Sequence, residues 1–261
     1  MTDGGSRPIV LVIAGLDPSG GAGLVADVRV CEQHECRPVA VTTALTLQST
    51  GEVRAANPVE AETVGDQLRM LLTDVEVAAV KIGMLGSERI ADEVARALEL
   101  TAAPVVWDPV LRPTSGRVAL YAGDPGAALD LLDGHVALIT PNRDEAAALT
   151  GLSLASEGDA VAAGMALYRR GMGAALIKGG HAAGDDAVDV LVGPEGHQLL
   201  RGPRFATDGP VHGTGCALAT AIACNLAGGS ELVEACRAAK AYVAALIADP
   251  VFPGRGHGAV L

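Results

Sequence analysis

The chain has 261 residues, 31 of them acidic against 19 basic for a formal net charge of −12, and only 2% are aromatic. It therefore repels polyanions at long range and lacks the exposed rings on which bases stack, which argues against a nucleic-acid partner. An apolar share of 49% with 19% charged residues suits a globular protein whose central elements are covered on both faces, and no apolar run approaches the roughly 18 residues that span a bilayer.

The elements alternate. "IVLVIAG" (9–15) reads as a strand, and "GLVADVRVCEQH" (23–34) as a helix through Leu24, Val28 and Cys31. "VAVTTAL" (39–45) is a strand, 58–73 a helix through Val64, Leu68 and Leu71, and "AAVKIGML" (78–85) a buried strand. Ser87 is placed to cap the helix that carries Ile90, Val94 and Leu98. After the strand "PVVWDPV" (104–110), Asp124 and Pro125 stand at the N-cap and first position of another helix. "VALITPN" (136–142) is a strand; helices at 143–150 and about 158–170 stop at Gly151 and Gly171; "AALIKGG" (174–180) is again a strand. Strands near 187–192 and 197–200 are joined by too few residues to be parallel, and helices at 214–227 and 230–247 close the chain. Alternation of this kind predicts βαβ crossovers and a mostly parallel sheet with helices on both faces, in one domain, with residues 1–8 flexible.

Five cysteines without a C-x-x-C pair support neither a disulfide framework nor a zinc ribbon, and residues 1–8 contain no signal-type segment, so a cytoplasmic location is expected. Only Lys81, Lys178 and Lys240 are lysines, all other basic residues being arginine, which raises the question of where these three compact charges sit.

Ligands of a parallel sheet bind beyond the carboxyl ends of its strands, and the loops there are unusual. "GLDPSGGAG" (15–23) could bring backbone amides close to a ligand or be a plain turn, with Asp17 as turn former and Asp27 as a charge on the helix surface. "HGTGC" (212–216) aims the amides of Gly213, Thr214 and Gly215 at one anion where a helix begins, and the same field would favour the thiolate of Cys216. "TPNRDE" (140–145) puts Asn142 and Glu145 three apart, either as magnesium and phosphate ligands or as a capping box. Asp108 directly follows an apolar strand and is not easily a solvated charge; His181 and His212 have no partner at metal spacing, so hydrogen bonding is their default.

In order, "AGLDPSGGAGLVAD", "TTALTLQST", "KIGML", "DPVLRPTSG", "LITPNRDEA", "IKGGH" and "HGTGC" resemble the signature stretches of hydroxymethylpyrimidine/phosphomethylpyrimidine kinases of thiamine biosynthesis, in the ribokinase-like superfamily. The resemblance implies a three-layer α/β/α fold and an ATP- and magnesium-dependent kinase that phosphorylates 4-amino-5-hydroxymethyl-2-methylpyrimidine and then its monophosphate. It further implies that Gln48 bonds the pyrimidine edge amid Gly15, Ala22, Asp27, Met84 and Val110. Asn142 and Glu145 would serve metal and phosphates, with Asp108 on that side too, and Lys178 the nucleotide. Cys216 takes the position of the superfamily's aspartate general base, and a homodimer is the family expectation. The chain departs from the usual pattern at Ser49, where asparagine is common, and at 206–211, which lacks an asparagine-threonine pair. Pyridoxal kinase is the nearest rival; a non-catalytic pyrimidine sensor and a cysteine hydrolase are more distant ones.

Overall fold

The computed structural model describes residues 7–112, 118–179, 186–205, 207, 209 and 211–260. Strand β1 (Ile9–Leu16) is buried except at its ends. Its side chains alternate: Leu11 and Ile13 enter one apolar core, Val10, Val12 and Ala14 the other. Helix α1 (Gly23–Gln33) leads to β2 (Arg37–Gln48), which returns as antiparallel β3 (Val53–Pro58). Then come α2 (Ala61–Asp74), β4 (Ala79–Ile82), the two-residue β5 (Gly86–Ser87) and α3 (Glu88–Leu98). Ser87 caps α3 as expected, its hydroxyl accepting from the Ile90 amide at 3.3 Å.

Strand β6 (Val105–Trp107) precedes β7 (Tyr121–Ala122), which pairs with β5, and α4 (Pro125–Leu131), with Asp124 as N-cap and proline at its start. Strand β8 (Leu138–Ile139) is followed by α5 (Arg143–Thr150), closed by Gly151 at φ 72°, and α6 (Glu157–Arg169). Strands β9 (Ala175–Ile177), β10 (Asp186–Gly193), β11 (Gly196–Pro203) and β12 (Val211–His212) lead to α7 (Thr214–Ala227) and α8 (Leu232–Ala248). The chain ends on β13 (Gly258–Ala259), parallel to β12.

Among the described residues the main sheet runs β11-β10-β9-β8-β6-β4-β1-β2-β3. Its centre is parallel, and the pairings of β3, β10 and β11 are antiparallel. Helices α2 to α6 cover one face; α1, α7 and α8 cover the other. This is the expected three-layer arrangement. No helix of the described residues is long and apolar enough to cross a membrane.

Three expectations change. Strands β4, β6, β8 and β9 each stop three residues before the expected end, and of the described residues that follow them Met84, Asp108, Val110, Asn142 and Lys178 line a cleft. Strand β3 was not expected; its "VRAANP" has too little β-branched alternation to read as a strand and is held by register with β2. Residues 7 and 8 are tied down: Arg7 pairs with Glu32 at 2.9 Å, and the Pro8 carbonyl accepts from the Arg37 amide.

Candidate active site

Two cavities open along the carboxyl ends of the central strands. The smaller, about 120 Å³, is lined by Gly15, Ala22, Gln48, Met84, Val110 and Cys216, together with Asp17, Lys81, Asp108 and His212. The larger, about 520 Å³, is lined by Asn142, Lys178, Asp189 and Lys240 and by apolar side chains of α8. Thr214 and Gly215 line both, so the start of α7 is the wall that the cavities share.

Two glycines let the chain approach itself closely here. Gly23 has φ 56°, and a Cβ would lie 2.3 Å from the Gly15 carbonyl; Gly213, at φ 86°, would put one 2.0 Å from the Gly21 carbonyl. The His212–Gly213 turn is fastened from behind by β13, with the Val260 amide donating to the His212 carbonyl at 3.2 Å. The first turn of α7, with no side chain capping it, forms the shared wall, and the free amides of a helix start favour an anion there.

Cys216 differs from the expectation. Half-buried, its thiol is pushed up to about 11 by burial and by the charges of Asp27 and Asp108, which outweigh the Lys81 ammonium and the Gly23 amide. A helix N-terminus favours a thiolate only as far as its few partial charges outweigh desolvation, and here they do not. The other four cysteines are buried, as small apolar side chains.

On the other side of the wall Lys178 Nζ lies 2.6 Å from Asp108 Oδ1 and 3.9 Å from Glu145 Oε2. Burial would lower the lysine, but Asp108 and Glu145 outweigh it and the ammonium stays charged. Burial, with Asp108 beside it, pushes the Glu145 carboxyl up to about 7 despite Lys178. Asn142 and Glu145 do form a capping box: Asn142 Oδ1 accepts from the Glu145 amide at 2.8 Å, and Glu145 Oε2 accepts from the Asn142 amide at 2.7 Å. The capping and ligand readings are compatible, since the box aims the carboxylate at Lys178. The Lys178 ammonium balances Asp108, and Glu145, raised toward neutrality, would ionise against a divalent cation; magnesium needs only one or two such ligands beside phosphates and water. The donor set fits that ion; among the described residues no group of three or more His, Cys, Asp or Glu forms a self-sufficient metal site.

All three lysines turn out to be cleft residues. Lys81 and Asp27 are both fully buried, 2.6 Å apart, and Thr220 donates to the second Asp27 oxygen at 2.7 Å. Asp27 is thus not a surface charge, and it stands behind Lys81 rather than lining the smaller cavity. Burial alone would lower Lys81, but the Asp27 charge holds its pKa above the ordinary value. Lys240 pairs with Asp189 at 2.6 Å, and Asp189 also accepts from the Gly179 amide at 2.8 Å, next to Lys178.

Sequence reasoning missed three of these groups: Asp189, Thr220 and the partnership of Asp17 with His212. Asp17 Oδ1 accepts from the Ser19 amide and hydroxyl, and Oδ2 from the Ala22 amide, so it does form the turn. It is also buried and 3.2 Å from His212 Nε2, which lies 3.0 Å from Gln48 Nε2. His181 lies outside the described residues, as do residues 113–116 and residues 206, 208 and 210.

Comparison with known proteins gives the family and the fold. The phosphomethylpyrimidine kinase family profile matches residues 17–261. A hydroxymethylpyrimidine/phosphomethylpyrimidine kinase of Streptomyces coelicolor is 40% identical over 253 residues, covering 97% of this chain and 93% of its own length. The crystal structure of a phosphomethylpyrimidine kinase from Clostridium difficile superposes with a TM-score of 0.80 at 32% identity, over 92% of this chain and all of that one (100%). A Staphylococcus aureus pyridoxal kinase in complex with AMP-PCP and pyridoxal gives 0.87 at 29% identity, over 98% and 93% of the two chains. With that family profile matched over nearly its whole length and relatives of up to 40% identity, the chain belongs to the phosphomethylpyrimidine kinase family.

Proposed function

We propose that this chain is an ATP-dependent kinase that phosphorylates 4-amino-5-hydroxymethyl-2-methylpyrimidine and then its monophosphate. The observation that carries the reading is the shared wall: an acceptor in the smaller cavity and a nucleotide in the larger meet at Thr214 and Gly215. Phosphoryl transfer asks mainly for alignment and charge stabilisation, which the amides of residues 213–216 and Lys178 supply from opposite sides.

In this reading Gln48 bonds the pyrimidine edge, and Gly15, Ala22, Met84 and Val110 shape its bed. Lys178 leaves Asp108 for the phosphates on nucleotide binding. Magnesium, held by Glu145 and Asn142 directly or through water, would neutralise phosphate charge when bound. Cys216 acts through its thiolate, a minor species at neutral pH that Lys81 and the Gly23 amide favour: it accepts the hydrogen bond of the acceptor hydroxyl, holds it in line, and takes its proton to become the thiol as the acceptor oxygen bonds the γ-phosphorus and ADP leaves. In the second phosphorylation the acceptor is already an anion, and this proton transfer matters less.

The test is incubation with Mg·ATP and the pyrimidine alcohol, with products identified by mass. Mono- and diphosphates are expected; absence of both overturns the proposal. Pyridoxal phosphorylation is a second reading, favoured by the pyridoxal kinase likeness, and a diphosphate product separates the two because a pyridoxal kinase has no use for a monophosphate acceptor.

A further inference from the structure

His212 Nε2 faces two partners at once, Asp17 Oδ2 at 3.2 Å and the Gln48 amide at 3.0 Å. One ring nitrogen cannot accept from an amide NH2 and also face a carboxylate oxygen without placing two lone pairs against each other. Burial would raise the Asp17 carboxyl, yet the hydrogen bonds from His212 and Ser19 outweigh it and hold it lowered, so the group is a carboxylate. Nε2 must then carry the proton. Turning the Gln48 oxygen toward the imidazole, as the interchangeable amide allows, removes that clash: the single Nε2 proton is shared between Asp17 Oδ2 and the Gln48 oxygen, and the Gln48 NH2 turns into the cavity.

The parts are locked. Asp17 is held through both oxygens by Ser19 and Ala22. The His212 backbone is fixed by β13, and its ring packs against Gly21, where a Cβ would lie 2.9 Å from Cδ2. We infer that Asp17 and His212 act as a specificity device, fixing Gln48 so that it donates through its NH2 and accepts through the second lone pair of its oxygen. The ring edge that fits pairs an unprotonated ring nitrogen with an adjacent exocyclic amine; a 4-oxo ring, with N–H beside C=O, presents the reverse pattern and is rejected. The inference rests on the proposed acceptor site but not on turnover.

Two measurements test it. In protein labelled with ¹⁵N-histidine at pH 8, the His212 resonance, assigned by its loss in His212→Phe, is expected to show Nε2–H; an unprotonated Nε2 in the wild-type protein overturns the inference without any further variant. Calorimetry with the 4-amino and 4-oxo pyrimidine alcohols is expected to favour the amine by about 100-fold or more, as for sites that leave buried polar groups unpaired with the wrong ligand. Asp17→Asn frees the imidazole to switch tautomer and the amide to turn, so the preference should shrink at least about tenfold while Mg·ATP affinity holds. A preference unchanged in Asp17→Asn overturns the inference. Because binding is read, a protein that binds with this preference but transfers no phosphate refutes the kinase reading alone.

Discussion

Lys178, just after β9, and Asp108, just after β6, face each other at 2.6 Å from either side of β8, and a Cβ on Gly215 would lie 3.2 Å from the ammonium and 3.3 Å from the carboxylate. The pair therefore sits directly against the wall that the two cavities share. On the proposed function its lysine exchanges a carboxylate for phosphate oxygens, a change of partner with no change in charge state.

Lys178→Gln removes that exchange. The KM for ATP should rise by about 10- to 100-fold, the range of a lost hydrogen bond to a charged group, with little effect on the KM of the pyrimidine. Steady-state kinetics with each substrate varied in turn check it, and equal effects on both would place Lys178 elsewhere in the reaction.

The Lys81–Asp27 pair behaves differently because both partners are fully buried. Lys81→Met leaves an unpaired carboxylate in the core, at a cost of about 3–5 kcal/mol. In a protein of this size the melting temperature should fall by roughly 6–20 °C. Combining Lys81→Met with Asp27→Leu and Thr220→Val removes the polar cluster as a unit and should recover most of the loss. Calorimetric melting of the single and triple variants checks this; a triple variant no more stable than the single one refutes it.

Much of this was legible in the sequence, for reasons that differ from place to place. Ser87, Asp124 and the Asn142–Glu145 box carry their capping chemistry in a few adjacent residues, so their helix starts are readable without tertiary context. Strand β3 is made by pairing with β2, and no local pattern marks it. In the cleft, glycines and the "HGTGC" turn could be read because backbone geometry is local. The Asp17–His212 contact spans 195 positions and the Asp27–Thr220 bond 193, distances over which one chain carries no pairing signal. The Cys216 thiol was misread because the helix field is a local property, whereas desolvation depends on everything packed around it.

That thiol offers a pH test. The thiolate is the species that reacts with iodoacetamide, and with its pKa near 11 its share rises tenfold per pH unit through the neutral range. Cys216 is the only one of the five cysteines that is not buried, so alkylation of the folded protein reports it. The rate should climb from pH 6 to pH 10 without a plateau; a plateau near pH 7 would mean that the helix field wins after all. In the same protein Cys216→Ala should lower turnover by about 10²- to 10⁴-fold, more for the alcohol than for the monophosphate, with the pyrimidine KM much less affected.

The smaller cavity permits a sharper test of the acceptor site. A Cβ on Gly15 would lie 2.3 Å from Met84 Cε, the mobile end of a flexible side chain that lines the same space. Gly15→Ala should therefore fold, with the thioether displaced into the cavity. Overpacking of this kind costs about 1–3 kcal/mol, here set against substrate binding, so the pyrimidine KM should rise by about 5- to 150-fold while the KM for ATP stays put. Adding Met84→Ala clears the displaced methyl and should return most of the affinity. If the double variant binds pyrimidine no better than Gly15→Ala, steric loss at Met84 is not the cause, and the acceptor does not lie between Gly15 and Met84.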